Sequence, residues 1–252
     1  MENQPKNIVL SIAGFDPSAG AGVLADVKTF EANGVYGMGV VSALTWQNDT
    51  EFDRVQWVPV HDIKEQVIVL LRRFAIKHIK IGLVESVLVL QEIVDFLHSV
   101  IQEPVIVYDP ILRASAGYEF NKTPTLLHTV MDRVYCVTPN LPEATLIWGA
   151  DDLNTELEQM SEVVNIYLKG GHAEGDTVTD MLYTADHTYV FANDRIPNGA
   201  KHGSGCVLSA ALTAQLAKGN DIAIAAELAN AYTHRYLGST TTLLGIHQRF
   251  DA

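Results

Sequence analysis

Lys201-His202-Gly203-Ser204-Gly205-Cys206 sets two glycines, a hydroxyl and a thiol directly ahead of a run of helix formers from Leu208 to Ala217. A glycine turn feeding a helix leaves the first N–H groups unpaired at the positive end of the helix dipole, which suits an anion. Cys206 falls in the first turn, where the same field favours a thiolate. The plainer alternative is an ordinary glycine loop with a cysteine packed in the core. Asp109 closes the apolar run Val105 to Tyr108 and stands beside Pro110, so it can serve a metal or a substrate hydroxyl, or simply cap the next turn. Lys169 precedes Gly170-Gly171 and offers a point charge to a phosphate, unless it is merely solvated. His202 adjoins the anion turn and is a candidate for touching phosphate, whereas His172 reads as a loop histidine with ordinary partners.

These residues need elements to hold them. Ile8 to Ala13 is a short apolar run that suits a buried parallel strand. It ends at Gly14, and a polar glycine turn, Phe15 to Gly22, leads into a helix over 23–32. Residues 35–45 are rich in strand formers and end at Thr45-Trp46-Gln47; a loop over 48–54 and a short strand over 55–58 follow. Asp62 is placed to cap a helix over 63–74, whose apolar residues recur at helical spacing. Strands at 78–83, 104–108, 134–137 and 163–168 alternate with helices at 86–100, after Thr123-Pro124 and after Asn140. A hairpin over 177–194, with Asp186-His187 at its tip, is the one clearly antiparallel feature, and helices over 205–218 and 221–238 follow. The alternation predicts a three-layer α/β/α protein with a mainly parallel central sheet and one antiparallel hairpin. No repeat or linker divides residues 1–252, which predicts a single domain. In such sheets ligands gather beyond the carboxyl ends of the strands. Gly14 with Asp16, Gln47, Asp109, Asn140 with Glu143, Lys169 and the turn before Cys206 all follow predicted strands, so they converge on one end of the sheet.

The composition removes several functions. A net charge of −13 opposes nucleic acid and anionic membranes as partners. Two cysteines far apart in a chain without paired histidines make neither a disulfide framework nor a zinc site, and they suit a reducing compartment. No apolar run reaches membrane-spanning length, and the first residues lack the apolar stretch of a signal peptide, so a cytoplasmic protein is expected. No P-loop sequence occurs. Gly20-Ala21-Gly22-Val23-Leu24-Ala25 spells a dinucleotide fingerprint, but Gly14 to Ala19 separate it from the strand that should feed it. A nicotinamide-dependent oxidoreductase rests on that misplaced stretch alone.

Taken in order, the motifs resemble a family. Ser11 to Gly22 with Ala25-Asp26 and Lys28-Thr29-Phe30 is similar to the opening of hydroxymethylpyrimidine/phosphomethylpyrimidine kinases. Ala43 to Asn48, Lys80-Ile81-Gly82, Asp109-Pro110, Thr138 to Ala144, Lys169 to His172 and His202 to Cys206 continue the match over residues 8–238. The resemblance implies the ribokinase-like fold and ATP-dependent phosphorylation of a small aminopyrimidine alcohol in thiamine synthesis, with Mg²⁺ as the metal and a homodimer as the assembly. It further implies that the N–H groups of Gly203, Ser204, Gly205 and Cys206 form the anion hole, and that Cys206 accepts the proton of the substrate hydroxymethyl group. A free thiol titrates near ~8.5, so the helix end and the metal are expected to lower it. By the same resemblance Asn140, Lys169, Gly171 and His202 belong to the nucleotide and its phosphates, and Asp109 and Glu143 to the metal. Gly14, Asp16, Ala21, Asp26, Gln47, Val84 and Asp109 belong to the substrate. The chain departs from the family at Trp46, at Leu83-Val84-Glu85, at Arg113 and at Ser239-Thr240-Thr241-Thr242, which puts the identity of the alcohol and the second phosphorylation in question. Pyridoxal kinases, some of which share the cysteine version of the fold, are the alternative enzyme. A non-catalytic vitamin- or pyrimidine-binding sensor is the alternative class, against which the intact phosphate motifs argue.

Overall fold

The computed structural model describes residues 7–112, 124–149, 151–171 and 175–250. Arg113, the loop around Ala114 to Gly117, the Thr123 cap and His172 lie outside the described residues. The strands are β1 (Ile8–Phe15), β2 (Tyr36–Gln47), β3 (Phe52–Trp57), β4 (His78–Ile81), β5 (Val105–Tyr108), β6 (Cys136–Val137), β7 (Asn165–Leu168), β8 (Thr177–Tyr183) and β9 (Thr188–Asp194). They form one nine-stranded sheet in the order β3-β2-β1-β4-β5-β6-β7-β8-β9. The six strands from β2 to β7 in that order run parallel. The predicted hairpin is β8–β9, antiparallel to β7. A second antiparallel pair, β2–β3, was not expected from the sequence. Asn48 closes it: its side-chain oxygen accepts from the N–H groups of Thr50 and Glu51 at 2.8 and 2.9 Å. Residues 48–51 form the turn, while Asp53 and Arg54 are exposed residues of an edge strand.

The helices are α1 (Gly22–Ala32), α2 (Val60–Leu71), α3 (Val87–Val100), α4 (His128–Met131), α5 (Leu141–Trp148), α6 (Leu153–Ser161), α7 (Ser204–Ala217) and α8 (Ile222–Leu237). Strand alternation sorts the core onto two faces. Leu10 and Ile12 of β1, Ile79 and Ile81 of β4, and Ile106 and Tyr108 of β5 meet α2, α3, α4 and α5 on one face. Val9, Val107, Cys136 and Tyr167 point the other way, toward α7 and its neighbours. Helix α7 is buried from Cys206 through Leu216 because it lies on the sheet between α1 and α8. Two helices differ most from expectation. Helix α2 begins three residues early, after Pro59, so Asp62 sits inside its first turn and meets the helix dipole rather than capping it. Helix α6 was not anticipated; Asp152 caps it through the Thr155 N–H. No helix among the described residues is long and apolar enough to cross a membrane.

Candidate active site

A cleft of about 740 Å³ opens beyond the carboxyl ends of the parallel strands, lined by residues of both halves of the chain. Its floor is the turn into α7. Gly203 adopts φ 73° and ψ 16°, and the first intrahelical bond runs from Val207 N–H to Gly203 C=O. The Gly205 and Cys206 N–H groups therefore have no acceptor inside the helix. Glycine is required at 203 twice over. A side chain would need left-handed backbone, and its Cβ would lie 2.2 Å from the Gly20 carbonyl oxygen. The two glycine turns thus touch, and the fingerprint-like stretch at 20–25 serves as the partner surface of the anion turn.

Opposite this turn the β5, β6 and β7 ends bring three charges together. Lys169 Nζ donates to Asp109 Oδ1 at 2.8 Å and lies 3.9 Å from Glu143 Oε2. A Cβ on Gly205 would come within 3.0 Å of Lys169 Nζ, so the ammonium also borders the anion turn. Ser209, one turn into α7, donates to Asp109 Oδ2 at 3.1 Å. Burial alone would raise the Asp109 carboxyl, but Lys169 and Lys80 outweigh it and hold Asp109 below its ordinary range. Asn140 and Glu143 form a capping box on α5, each side chain accepting from the other's N–H at 2.8 Å. Burial, with Asp109, pushes Glu143 up to about 7 against the pull of Lys169. One buried ammonium is therefore shared by two carboxylates.

Cys206 lies 6% exposed on the cleft wall. Behind it α1 and β4 contribute an ion pair, both of whose side chains are fully buried. Lys80 Nζ stands 3.0 and 2.9 Å from the two Asp26 oxygens, and Ser11 Oγ donates to Asp26 at 2.6 Å. The expected lowering of the thiol is not what the protein's own groups produce. Burial raises it, Asp109 and Asp26 add to that, and Lys80 and the Gly22 N–H only partly oppose them, leaving Cys206 at about 11. Loss of solvent and two nearby carboxylates outweigh Lys80 and the Gly22 N–H.

The chain as a whole matches known proteins. The family model for phosphomethylpyrimidine kinase matches residues 16–250. The chain belongs to the phosphomethylpyrimidine kinase family. The hydroxymethylpyrimidine/phosphomethylpyrimidine kinase of Rhizobium meliloti (strain 1021) is 34% identical over 248 residues, covering 94% of this chain and 92% of the relative. A crystal structure of phosphomethylpyrimidine kinase from Clostridium difficile 630 superposes with a TM-score of 0.75 at 32% identity, covering 91% of this chain and 98% of that one. The pyridoxal kinase from Staphylococcus aureus in complex with pyridoxal has a TM-score of 0.85 at 25% identity, covering 96% of this chain and 94% of that one.

Within this family member the cleft wall holds most of the residues predicted from the sequence: Gly14, Ala21, Gln47, Asp109, Asn140, Glu143, Lys169, Gly171 and His202 through Cys206. Gln47 and Thr45 share one face of β2, and the Gln47 amide donates to Thr45 Oγ1 at 2.8 Å. Thr45 in turn donates to the Phe15 carbonyl at 2.8 Å. This leaves Gln47 its carbonyl oxygen and one N–H. Trp46 points to the opposite face, where Arg54 stacks on it at 4.1 Å, so its indole does not shape the cleft.

Three predicted substrate residues are not on the wall. Asp26 is spent on Lys80 and Ser11, as above. Asp16 is fully buried and accepts from Ser18 N (2.9 Å), Ala21 N (2.8 Å) and His202 Nε2 (2.9 Å), so it ties the first glycine turn to the anion turn. Val84 packs against the core on the other face, and Leu83 is the residue that reaches the cleft. The sequence reading missed Lys201, Asn193, Asn230 and Thr233, which line the cleft from β9, the β9–α7 loop and α8. Asn230 and Thr233 carried a signal, two polar residues at helical spacing in an apolar run. Asn230 donates to Asp180 at 2.9 Å, and Asp180 accepts the Gly170 N–H at 2.7 Å, so this network fixes the turn after Lys169.

Proposed function

We propose that the chain phosphorylates the hydroxymethyl group of 4-amino-5-hydroxymethyl-2-methylpyrimidine from ATP, and then its monophosphate, in thiamine biosynthesis. The observation that carries this reading is the facing of Lys169, Asp109 and Glu143 onto the Gly203–Cys206 turn across one cleft whose far wall presents Gln47. The Gly205 and Cys206 N–H groups take the developing charge on the transferred phosphoryl group. Lys169 neutralises the phosphates as a point charge. The new bond joins the hydroxymethyl oxygen to the γ-phosphorus, the bond to the ADP oxygen breaks, and the hydroxymethyl proton passes to the Cys206 sulfur as thiolate. With the thiol at about 11, that thiolate is a minority form near neutral pH.

The residues present fit a magnesium ion. Asp109 and Glu143 offer carboxyl oxygens to the cleft, and a bound cation would favour the ionised form of Glu143, which burial and Asp109 push up to about 7. Among the described residues no cluster of three or more protein ligands is placed for a metal, as suits an ion that keeps waters and phosphate oxygens in its shell. Magnesium bound by these carboxylates would neutralise charge on the transferring phosphoryl group. A cytoplasmic homodimer of a single-domain chain is part of the same proposal.

Gln47 supports the pyrimidine over pyridoxal, the alternative substrate that the pyridoxal kinase likeness suggests. Its free carbonyl oxygen and remaining N–H match an amino group beside a ring nitrogen, a pair that pyridoxal does not offer on one edge. An unpaired amide in the cleft costs about 1–3 kcal/mol, which predicts a tenfold to hundredfold preference in kcat/KM. Steady-state assays of hydroxymethylpyrimidine, its monophosphate and pyridoxal, with wild type and Gln47→Leu, test this. A wild-type preference for pyridoxal, or discrimination that survives Gln47→Leu, overturns it.

A further inference from the structure

The residue before His202 has no part in the site as described so far. Lys201 is only 7% exposed, yet it lines the cleft. Its ammonium donates to the Thr240 carbonyl at 2.9 Å. Among the described residues no carboxylate lies within ion-pairing distance of it, unlike Lys80 and Lys169, whose ammonium groups each meet an aspartate. Burial pulls its ammonium below the ordinary range. An ammonium has three donors, and a single carbonyl neither fills them nor balances the charge. The neighbouring ring makes the same point independently. His202 Nε2 donates to the ionised Asp16, while Nδ1 is buried without a partner on the same cleft wall. Two adjacent side chains, both more than nine-tenths buried, are thus left with unused polar capacity.

We propose that Lys201 is a further phosphate-binding residue, forming a second anion subsite beside the Gly203–Cys206 turn, which His202 Nδ1 joins as a donor when the ring is an imidazolium paired with Asp16. Its ligand is a phosphoryl oxygen, supplied either by the nucleotide or by the alcohol that already carries one phosphate. The backbone supports the assignment. The His202 N–H donates to the Leu243 carbonyl at 2.9 Å, so the segment from Ser239 onward holds the loop carrying both side chains. This inference rests on the kinase reading of the cleft, and its test includes binding measurements that do not depend on turnover.

Lys201→Met keeps the apolar stem and removes the charge; Lys201→Arg keeps the charge. Calorimetric titration with MgADP and with inorganic phosphate is combined with KM for ATP, hydroxymethylpyrimidine and its monophosphate. Loss of a charge-assisted hydrogen bond predicts that Lys201→Met weakens the phosphate-bearing ligand by about ten- to a hundredfold, with Lys201→Arg recovering most of the loss. A weaker MgADP titration and a raised KM for ATP, with the unphosphorylated alcohol unaffected, name the nucleotide as the source. A raised KM for the monophosphate, with MgADP unaffected, names the substrate phosphate. The proposal is overturned if Lys201→Met leaves both phosphate-bearing ligands unchanged. It is also overturned if kcat falls equally in both variants while limited proteolysis shows the segment after Ser239 loosened, because Lys201 is then only a tether. A wild-type chain that binds MgADP but phosphorylates no alcohol refutes the proposed reaction, while the titrations still decide the role of Lys201.

Discussion

Lys80→Met removes the cation from the buried pair behind Cys206 while nearly preserving side-chain volume. Both Lys80 and Asp26 are fully buried, and burial alone would lower the ammonium; Asp26, with Cys206 and Asp109, overcomes that and holds it above the ordinary lysine range. Burial raises the Asp26 carboxyl even against Lys80 and Ser11, so the lysine is what keeps it ionised, and Asp26 in the variant keeps one hydrogen bond, from Ser11, and no counter-charge. Leaving a buried charge uncompensated costs about 3–5 kcal/mol. At roughly 2–4 °C per kcal/mol for a chain near this size, Tm should fall by about 6–20 °C. Adding Asp26→Leu removes the orphaned charge and should recover at least half of the loss, because the pair's value lies in mutual compensation rather than net attraction. Thermal unfolding at neutral pH across a salt series measures wild type and both variants, and salt should change the differences little since neither charge meets solvent. A loss below about 1 kcal/mol in Lys80→Met, or a double variant no more stable than the single, refutes the reasoning.

Two further outcomes follow from the same charges. If Cys206 is the base and its thiol sits near 11, log kcat should rise with pH from 7 to 9 at close to unit slope, since only the thiolate accepts a proton. Cys206→Ala should lose roughly 10²–10⁴ in kcat with little change in ATP affinity; a flat profile together with near-normal turnover in the variant assigns the sulfur to packing. Asp16 is a second pH probe. Burial would raise its carboxyl, but hydrogen bonds from His202, Ser18 and Ala21 outweigh it and place it below the ordinary value. A depressed carboxyl stabilises the fold above its unfolded pKa of about 4 and loses that contribution as pH falls through the folded one. Chemical denaturation of wild type and Asp16→Asn should therefore differ at pH 7 and converge on acidification; a difference that persists unchanged in acid rules out ionised Asp16 as the clamp.

The layer order, the direction of most strands and the end of the sheet where the cleft opens were legible in the sequence. Apolar runs of strand length closed by glycine or polar residues can lie only as buried parallel strands, and their carboxyl ends then fall together. The glycines were equally legible, because a turn into a buried helix beside a serine and a cysteine has few uses. Tertiary structure alone decided which polar residues face the cleft. Asp16, Asp26 and Val84 occupy motif positions, yet packing turns two of them into internal clamps and the third into core, because a carboxylate's partners come from segments distant in sequence: Lys80 for Asp26 and His202 for Asp16. The thiol's environment was hidden for the same reason. Local sequence shows the helix end that lowers a thiol, whereas the burial and the two carboxylates that raise it exist only once β1, β4, β5 and α1 are packed around α7. Lys201 shows the limit from the other side, since a lysine in a glycine loop looks solvated until the fold buries it with no counter-ion among the described residues.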